Sequence, residues 1–374
     1  MNYIYSFTVA ASRNHDDRLL SLPRFFIELA VTPLLLDKPF DQWKLGDLPL
    51  YRVEQLRHWI FEQGCFNWDE MSNLPLSLRQ DLKEKWDLVP MNLQRSQGSF
   101  DTTQKFLWKL RDGQFIESVL IPATEGSKGV RASRLTLCVS TQVGCAIGCK
   151  FCASGLDGLK RNLSTGEIVG QVLLARNQAK RRIDNLVFMG MGEPLMNYKN
   201  TLAAIDKITS PEGLGMSPKR ITVSTSGVSK IIFQMADQKP QWKLAVSLHS
   251  AVEETRNKIM PFTQKFPLDE LKASLLHWYA KTKSKITFEY VVWEGINDSQ
   301  KEIDALVKFC LDVPSKVNLI EYNPIDESDF RQAAEGVINR YIQALETNKI
   351  AVTVRRSRGK DIDAACGQLA NKAV

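Results

Sequence analysis

From residue 134 onward the chain alternates short apolar runs with longer amphipathic ones. Runs rich in β-branched residues stand at 135–140, 185–190, 220–226, 243–249, 286–293 and 317–323. Stretches with helical periodicity separate them, among them 268–281, 299–311 and 335–347. Another starts at Ser164, with Glu167 three residues on in a capping-box pattern, and continues through Ile168, Val172 and Leu173. Such alternation predicts parallel strands joined by crossover helices. Six strands are too few for a closed eightfold barrel, so the expected fold class is α/β, an open, partial (β/α)6 barrel. A last strand at 351–356 leads into a glycine-containing tail. Ligands gather at the C-terminal ends of strands in these folds. Gly192, Glu193, Ser224, Ser247, His249 and Asn323 fall there.

Upstream the pattern changes. Residues 51–63 place Val53, Leu56, Trp59, Ile60 and Phe61 on or near one helical face, and Leu78, Leu82 and Trp86 follow at helical spacing. A hairpin is expected next, with strands at 104–110 and 115–121 around the turn Arg111-Asp112-Gly113. The chain thus divides into an N-terminal extension of unknown role (1–36), a small helical accessory domain (37–95), a β-hairpin extension (96–130), the barrel (131–350) and a C-terminal strand and tail (351–374).

Composition adds limits. With 374 residues, 44% of them hydrophobic, the chain can bury a full-sized core. Its net charge of +7 permits a nucleic-acid partner without requiring one. The apolar stretch around Phe25–Leu36 is too short to cross a bilayer and carries Glu28 and Pro33. It lacks the basic start of a signal peptide, and Asp16 and Asp17 argue against a transit peptide. A helical extension or a misassigned start codon is the expected reading. The seven cysteines, an odd number with three crowded together, do not form a secreted disulfide framework. A reducing cytoplasm, no membrane and a cysteine-ligated metal fit better.

That crowded group is Cys145-Ala-Ile-Gly-Cys149-Lys-Phe-Cys152, in the loop after the first barrel strand. One loop can turn three thiolates onto one metal centre. A structural zinc or an ordinary four-iron cluster takes four ligands, so three leave an iron open to a substrate. Cys138, back in the strand, or a distant cysteine completing a zinc knuckle are the alternatives.

This spacing after a first strand resembles the radical S-adenosylmethionine (SAM) superfamily, whose partial six-stranded barrel matches the strand count. The resemblance implies that Cys145, Cys149 and Cys152 hold a 4Fe–4S cluster, that SAM chelates its free iron, and that Phe151 shields it. Gly190-Met191-Gly192-Glu193-Pro194-Leu195 after the second strand resembles that superfamily's motif for the SAM amino group. Ser224, Ser247, Leu248, His249 and Asn323 then correspond to its ribose, sulfonium and adenine contacts. By themselves the serines and the asparagine could be strand-end caps, and His249 a hydrogen-bonded core residue.

Three segments resemble one family more narrowly: residues 137–145, residues 192–195, and the tail from Arg355 to Leu369 with Cys366 followed by Gly367. They are similar to the adenine methyltransferases of bacterial ribosomal and transfer RNA, the RlmN/Cfr family, over about residues 45 to 370. That resemblance makes residues 37–95 an RNA-binding accessory domain. It implies methylation of an adenosine in 23S rRNA and in certain tRNAs, with two SAM molecules per turnover. The first methylates Cys366. The second yields a 5′-deoxyadenosyl radical that activates the Cys366 methyl group for addition to the ring. Glu117 corresponds to the family's proton acceptor. Cys138 attacks Cys366 to release the product, leaving a transient Cys138–Cys366 disulfide. An electron donor such as flavodoxin is implied, and a monomer is expected.

Pro194 and Arg356-Ser357-Arg358-Gly359 look like the branch that methylates C2 rather than the one that methylates C8. Lys180-Arg181-Arg182 and the run Arg355, Arg356, Arg358 and Lys360 are candidate phosphate contacts. Cys65 and Cys310 match no motif and read as packing. The alternatives are a C8-specific methyltransferase and, in a different class, a non-catalytic RNA-binding protein with a structural metal.

Overall fold

The computed structural model describes residues 32–44, 48–123, 134–326 and 328–370. The expected N-terminal extension lies outside the described residues up to position 31. Two short helices come first, α1 (Leu50–Arg57) and α2 (Leu76–Lys85). Three antiparallel strands follow, β1 (Met91–Gly98), β2 (Gln104–Leu110) and β3 (Phe115–Pro122). Then β4 (Leu135–Cys138) opens the repeating part. It is followed by a two-stranded ribbon, β5 (Gln142–Gly144) with β6 (Leu159–Asn162), and by α3 (Thr165–Ala179).

The alternation continues through β7 (Asn185–Phe188), α4 (Tyr198–Thr209), β8 (Ile221–Thr225), α5 (Ser229–Asp237), β9 (Lys243–Ser247), α6 (Glu253–Ile259) and α7 (Leu268–Thr282). It ends with β10 (Ile286–Val291), α8 (Gln300–Asp312), β11 (Ser315–Ile320), α9 (Glu335–Thr347) and β12 (Val352–Arg355). One ten-stranded sheet runs β1-β2-β3-β4-β7-β8-β9-β10-β11-β12. From β4 to β12 every neighbouring pair is parallel. The six expected strands and the last one are all present, and the fold is the expected partial α/β barrel.

The capping box at the start of α3 forms as its sequence predicts: Ser164 Oγ accepts from the Glu167 amide at 3.2 Å, and Glu167 accepts from the Ser164 amide at 2.8 Å. Helix α3 is buried on nearly every side, because the segment before α1 lies across it. Leu34, Leu35 and Leu36 are core residues, and Asp37 accepts from the Gly166 amide at 2.7 Å. Gly166 makes this approach possible, since a Cβ there would sit 2.4 Å from Leu34. The expected border at residue 36 therefore runs through a packed segment.

The hairpin has a third strand, β1, joined to β2. All of β1 but Met91 and Gln97 is exposed, so it carries no apolar alternation by which a sequence reading could find it. The extension is not separate from the barrel either. Strand β3 pairs antiparallel with β4, which places Val119 opposite Cys138.

Candidate active site

The loop between β4 and β6 brings its three cysteines to one cavity of about 170 Å³ at the C-terminal ends of the parallel strands. Gly144 starts the loop with φ +74°, and a Cβ on it would lie 2.0 Å from the Gly158 carbonyl. Only glycine closes the loop this tightly. Burial raises the Cys145 thiol to about 12 and the Cys149 thiol well above its ordinary value. Burial also raises Cys152, and the three repel one another as anions. Such thiols become thiolates when a cation joins them. Among the described residues no three His, Cys, Asp or Glu side chains are arranged to hold a single metal ion. Arg256 is fully buried near Cys149, with its Nε and Nη1 unpartnered.

Phe151 packs edge-on against His249, with ring centroids 4.8 Å apart, and lies 4.8 Å from Trp293. Together these rings wall the thiols on one side. His249 is buried, and its Nδ1 accepts from the Val291 amide at 3.1 Å. That bond leaves the proton on Nε2. Burial and the nearby Arg256 lower its pKa to about 3, so the ring is neutral.

The rim beyond β7 and β8 is a carboxylate cradle. Glu193 is buried and accepts from the Leu195 amide at 3.0 Å and the Ser226 amide at 2.7 Å. Burial raises its pKa, while those two amides oppose the shift. Gly192, Ser224, Ser247, His249 and Asn323 line the same cavity. Leu248 does not: its side chain lies in the hydrophobic core and its amide donates to the Glu289 carbonyl. Two acceptor atoms on the cavity wall are buried and unpartnered, Asn323 Oδ1 and Glu289 Oε2. An unpaired buried acceptor is costly, and a ligand with amino and hydroxyl donors would satisfy both.

The fourth wall comes from the far end of the chain. Cys366 lines the main cavity and also a smaller one of about 40 Å³ that contains Cys138, Cys152 and Arg355. The Cys366 carbonyl accepts from Asn323 Nδ2 at 3.2 Å, and the Ala153 amide donates to the Gly367 carbonyl at 2.8 Å. Cys138 is buried, and burial followed by the neighbouring Cys366 pushes its thiol up to about 12. No disulfide joins the two.

The comparisons with known proteins agree with this arrangement. The radical SAM superfamily model matches residues 139–309. The model of the ribosomal RNA large subunit methyltransferase N-terminal domain matches residues 43–88. A protein of Flavobacterium psychrophilum named probable dual-specificity RNA methyltransferase RlmN is 57% identical over 92% of this chain and 98% of its own length. The chain belongs to the RlmN family. A relative of the same name from Flavobacterium johnsoniae is 52% identical over 86% of this chain and 91% of its own. The crystal structure of a radical SAM methyltransferase from Sphaerobacter thermophilus matches with a TM-score of 0.86 at 39% identity, covering 91% of this chain and 100% of that one. Membership of the radical SAM class implies a 4Fe–4S cluster and SAM. The three raised thiols and the unpartnered acceptors fit both.

Other residues of this RlmN-family chain have partners that the sequence alone does not show. Glu117 is buried. It pairs with Lys105 at 3.1 Å and accepts from the Ala370 amide at 3.0 Å, so it ties down the tail. It does not line the main cavity. It does share a strand face with Val119, which lines the smaller cavity beside Cys138. The basic run does not form one exposed patch. Arg355 points into the cavities, Arg358 pairs with Asp101 at 3.1 Å, and Lys360 pairs with Glu321 at 2.5 Å. Only Arg356 of that run is exposed without a hydrogen bond or ion pair to a described residue. Arg355 is opposite Ile320 across the β11–β12 pairing, and Ile320 also faces the cavity. Strand alternation separates Arg355 from Arg356 and could have signalled the split. Glu289 was missed as well, although one carboxylate within the apolar run Ile-Thr-Phe-Glu-Tyr-Val is itself a signal.

Among the described residues, no helix is long and apolar enough to cross a membrane. Cys65 and Cys310 are buried away from both cavities.

Proposed function

We propose that this chain methylates C2 of an adenosine in 23S ribosomal RNA and in transfer RNA, with Cys366 carrying the methyl group. One observation carries the reading: Cys366 lines two neighbouring cavities, one shared with Cys145, Cys149, Cys152 and the Glu193 cradle, the other with Cys138. A thiol so placed can meet a methyl donor on one side and a resolving thiol on the other.

Adenine C2 lies between two ring nitrogens and is too electron-poor to attack a methyl donor. Cys145, Cys149 and Cys152 would hold the 4Fe–4S cluster. Glu193, Gly192, Ser224, Ser247, His249, Asn323 and the backbone at Leu248 would hold SAM, Glu193 by accepting from its ammonium. Cluster and SAM together supply a methyl group and a hydrogen-abstracting radical. The residues of the chain do the rest. Cys366 sulfur, once deprotonated, accepts the methyl group. Phe151, His249 and Trp293 exclude water from the reacting atoms. Glu117 accepts the proton that leaves the ring. The Cys138 thiolate then attacks Cys366 sulfur, and the bond from that sulfur to the RNA-bound methylene breaks with its electron pair going to carbon. The carbon takes up a proton to become the methyl group, and a Cys138–Cys366 disulfide remains as the RNA departs.

The name of these relatives, dual-specificity RNA methyltransferase, supports two RNA substrates. The reading further has residues 37–95 and 96–130 as accessory units around the barrel 131–350. It places a monomer in the cytoplasm, reduced by a donor such as flavodoxin. Mass spectrometry of digested RNA after reaction tests it. 2-Methyladenosine is the expected product. 8-Methyladenosine or unmodified adenosine would overturn it.

A further inference from the structure

The turn between β1 and β2 presents Phe100 with 97% of its surface exposed, far beyond Leu50 at 66% and Leu311 at 61%. An exposed apolar side chain alone needs no explanation. This one is held in place. Within the turn, the Ser99 amide donates to the Thr103 carbonyl at 2.8 Å, and the Thr103 amide to Asp101 Oδ1 at 2.9 Å. From outside, the Phe100 amide donates to Asp361 Oδ2 at 3.2 Å, and Ser99 Oγ donates to the same carboxylate at 2.5 Å. Asp101 accepts from the Gly359 amide at 2.9 Å and pairs with Arg358.

The turn is thus fastened to the tail that bears Cys366. Beside Asp361, Lys360 pairs with Glu321, which lines the catalytic cavity. Phe100 thus stands on a turn fixed to the tail that carries Cys366, and that tail reaches the cavity wall through Lys360 and Glu321. A target base reaches a buried site by leaving its stack, which strips its neighbours of a stacking partner. Proteins that bind splayed single strands supply an aromatic face in its place, next to cations for the backbone. Arg356, exposed on the same tail, is such a cation.

We infer that Phe100 is a stacking platform for an unpaired base of the substrate RNA, flanking the target adenosine at the cavity mouth. The inference rests on the RNA-methylating reading above. Holding the ring on a fastened turn lowers the ordering cost of binding.

Phe100→Ala, Phe100→Trp and unaltered holoenzyme are compared on RNA carrying 2-aminopurine next to the target. The Ala variant is expected to weaken RNA binding roughly ten-fold, within the range of base–aromatic stacking. SAM cleavage without RNA should be unchanged. Phe100→Trp should restore affinity. 2-Aminopurine fluorescence should be quenched by unaltered enzyme and by the Trp variant, and much less by the Ala variant. Equal affinity and equal quenching for all three would overturn the platform while methylation stands. So would a Phe100→Ala defect confined to reduction by a protein donor, which would make Phe100 a protein contact. Absence of 2-methyladenosine with all three enzymes would instead strike the function on which the inference rests.

Discussion

The loop of Cys145, Cys149 and Cys152 and the tail of Cys366 meet in one cavity, yet they are built by opposite means. The loop is local. Its turns close on themselves, with the Cys152 amide donating to the Cys149 carbonyl and the Gly155 amide to the Cys152 carbonyl, each at 3.1 Å. The tail has little regular structure after β12. It is pinned from elsewhere: Asp101 holds Arg358 and Gly359, Glu117 holds Ala370, Asn323 holds Cys366, and Ser154 Oγ donates to the Leu369 carbonyl at 2.6 Å. The loop meets the tail through Ala153 and Ser154, but it also has its own turns and a bond from the Lys150 amide to the Ile259 carbonyl at 3.1 Å, so it has support besides the tail. A segment held by distant contacts can be released by changing any of them.

Breaking the loop should have the largest effect. Alanine at Cys145, Cys149 or Cys152 is expected to abolish both iron retention and SAM cleavage, measured by iron assay and by release of 5′-deoxyadenosine. A variant that stays iron-loaded and active would remove the loop from the cluster.

Breaking the tail chemistry should spare iron and stop turnover. Cys366→Ala is expected to bind iron normally and yield no methylated RNA. Cys138→Ala should accumulate a protein–RNA species that survives denaturing electrophoresis and disappears with ribonuclease. The double variant should not form it. Full turnover by Cys138→Ala with no trapped species would show that Cys138 is not the resolving thiol.

Loosening the tail should cost less. Asp101→Ala removes the acceptor of Gly359 and the partner of Arg358. Methylation is expected to fall several-fold at unchanged iron content and unchanged RNA-free SAM cleavage. An unaltered rate would mean that the remaining pins suffice.

Acid offers the mildest probe. Burial would raise the Asp101 carboxyl, but hydrogen bonds from Thr103, Gly359 and Ser99 outweigh it and bring the value to about 2. Its contribution is present in full above the unfolded value of 3.8 and is lost as pH falls toward 2. Protection of the Gly359 amide from hydrogen exchange should therefore persist at pH 4 and be lost on further acidification. Loss of protection by pH 5 would show that another group holds the tail.

The same division explains what the sequence revealed. Three cysteines within eight residues, the capping box of α3 and the seven parallel strands β4 and β7 to β12 are local patterns, and each could be read directly; the short ribbon β5–β6 was not. The exposed strand β1 has no alternation to read. The basic run after β12 looked uniform, yet strand geometry sends Arg355 inward and tertiary partners absorb Arg358 and Lys360. Glu117 sits in an ordinary strand pattern, and only the returning tail and Lys105 show why it is buried. Proximity of Cys138 and Cys366 came from family resemblance, since no local spacing encodes it.

The fastening of the hairpin turn to the tail also orders assembly. Ser99 and Asp361 are 262 positions apart in the chain. Contacts so distant carry a larger loop-closure entropy than turns formed between neighbours, and they reward the chain only after the intervening structure exists. The three-thiol loop and the barrel are therefore expected to form before the tail docks, with late protection of the Gly359 amide in refolding hydrogen exchange as the check. In that order Cys366 enters the cavity only after the walls that must contain a radical are in place.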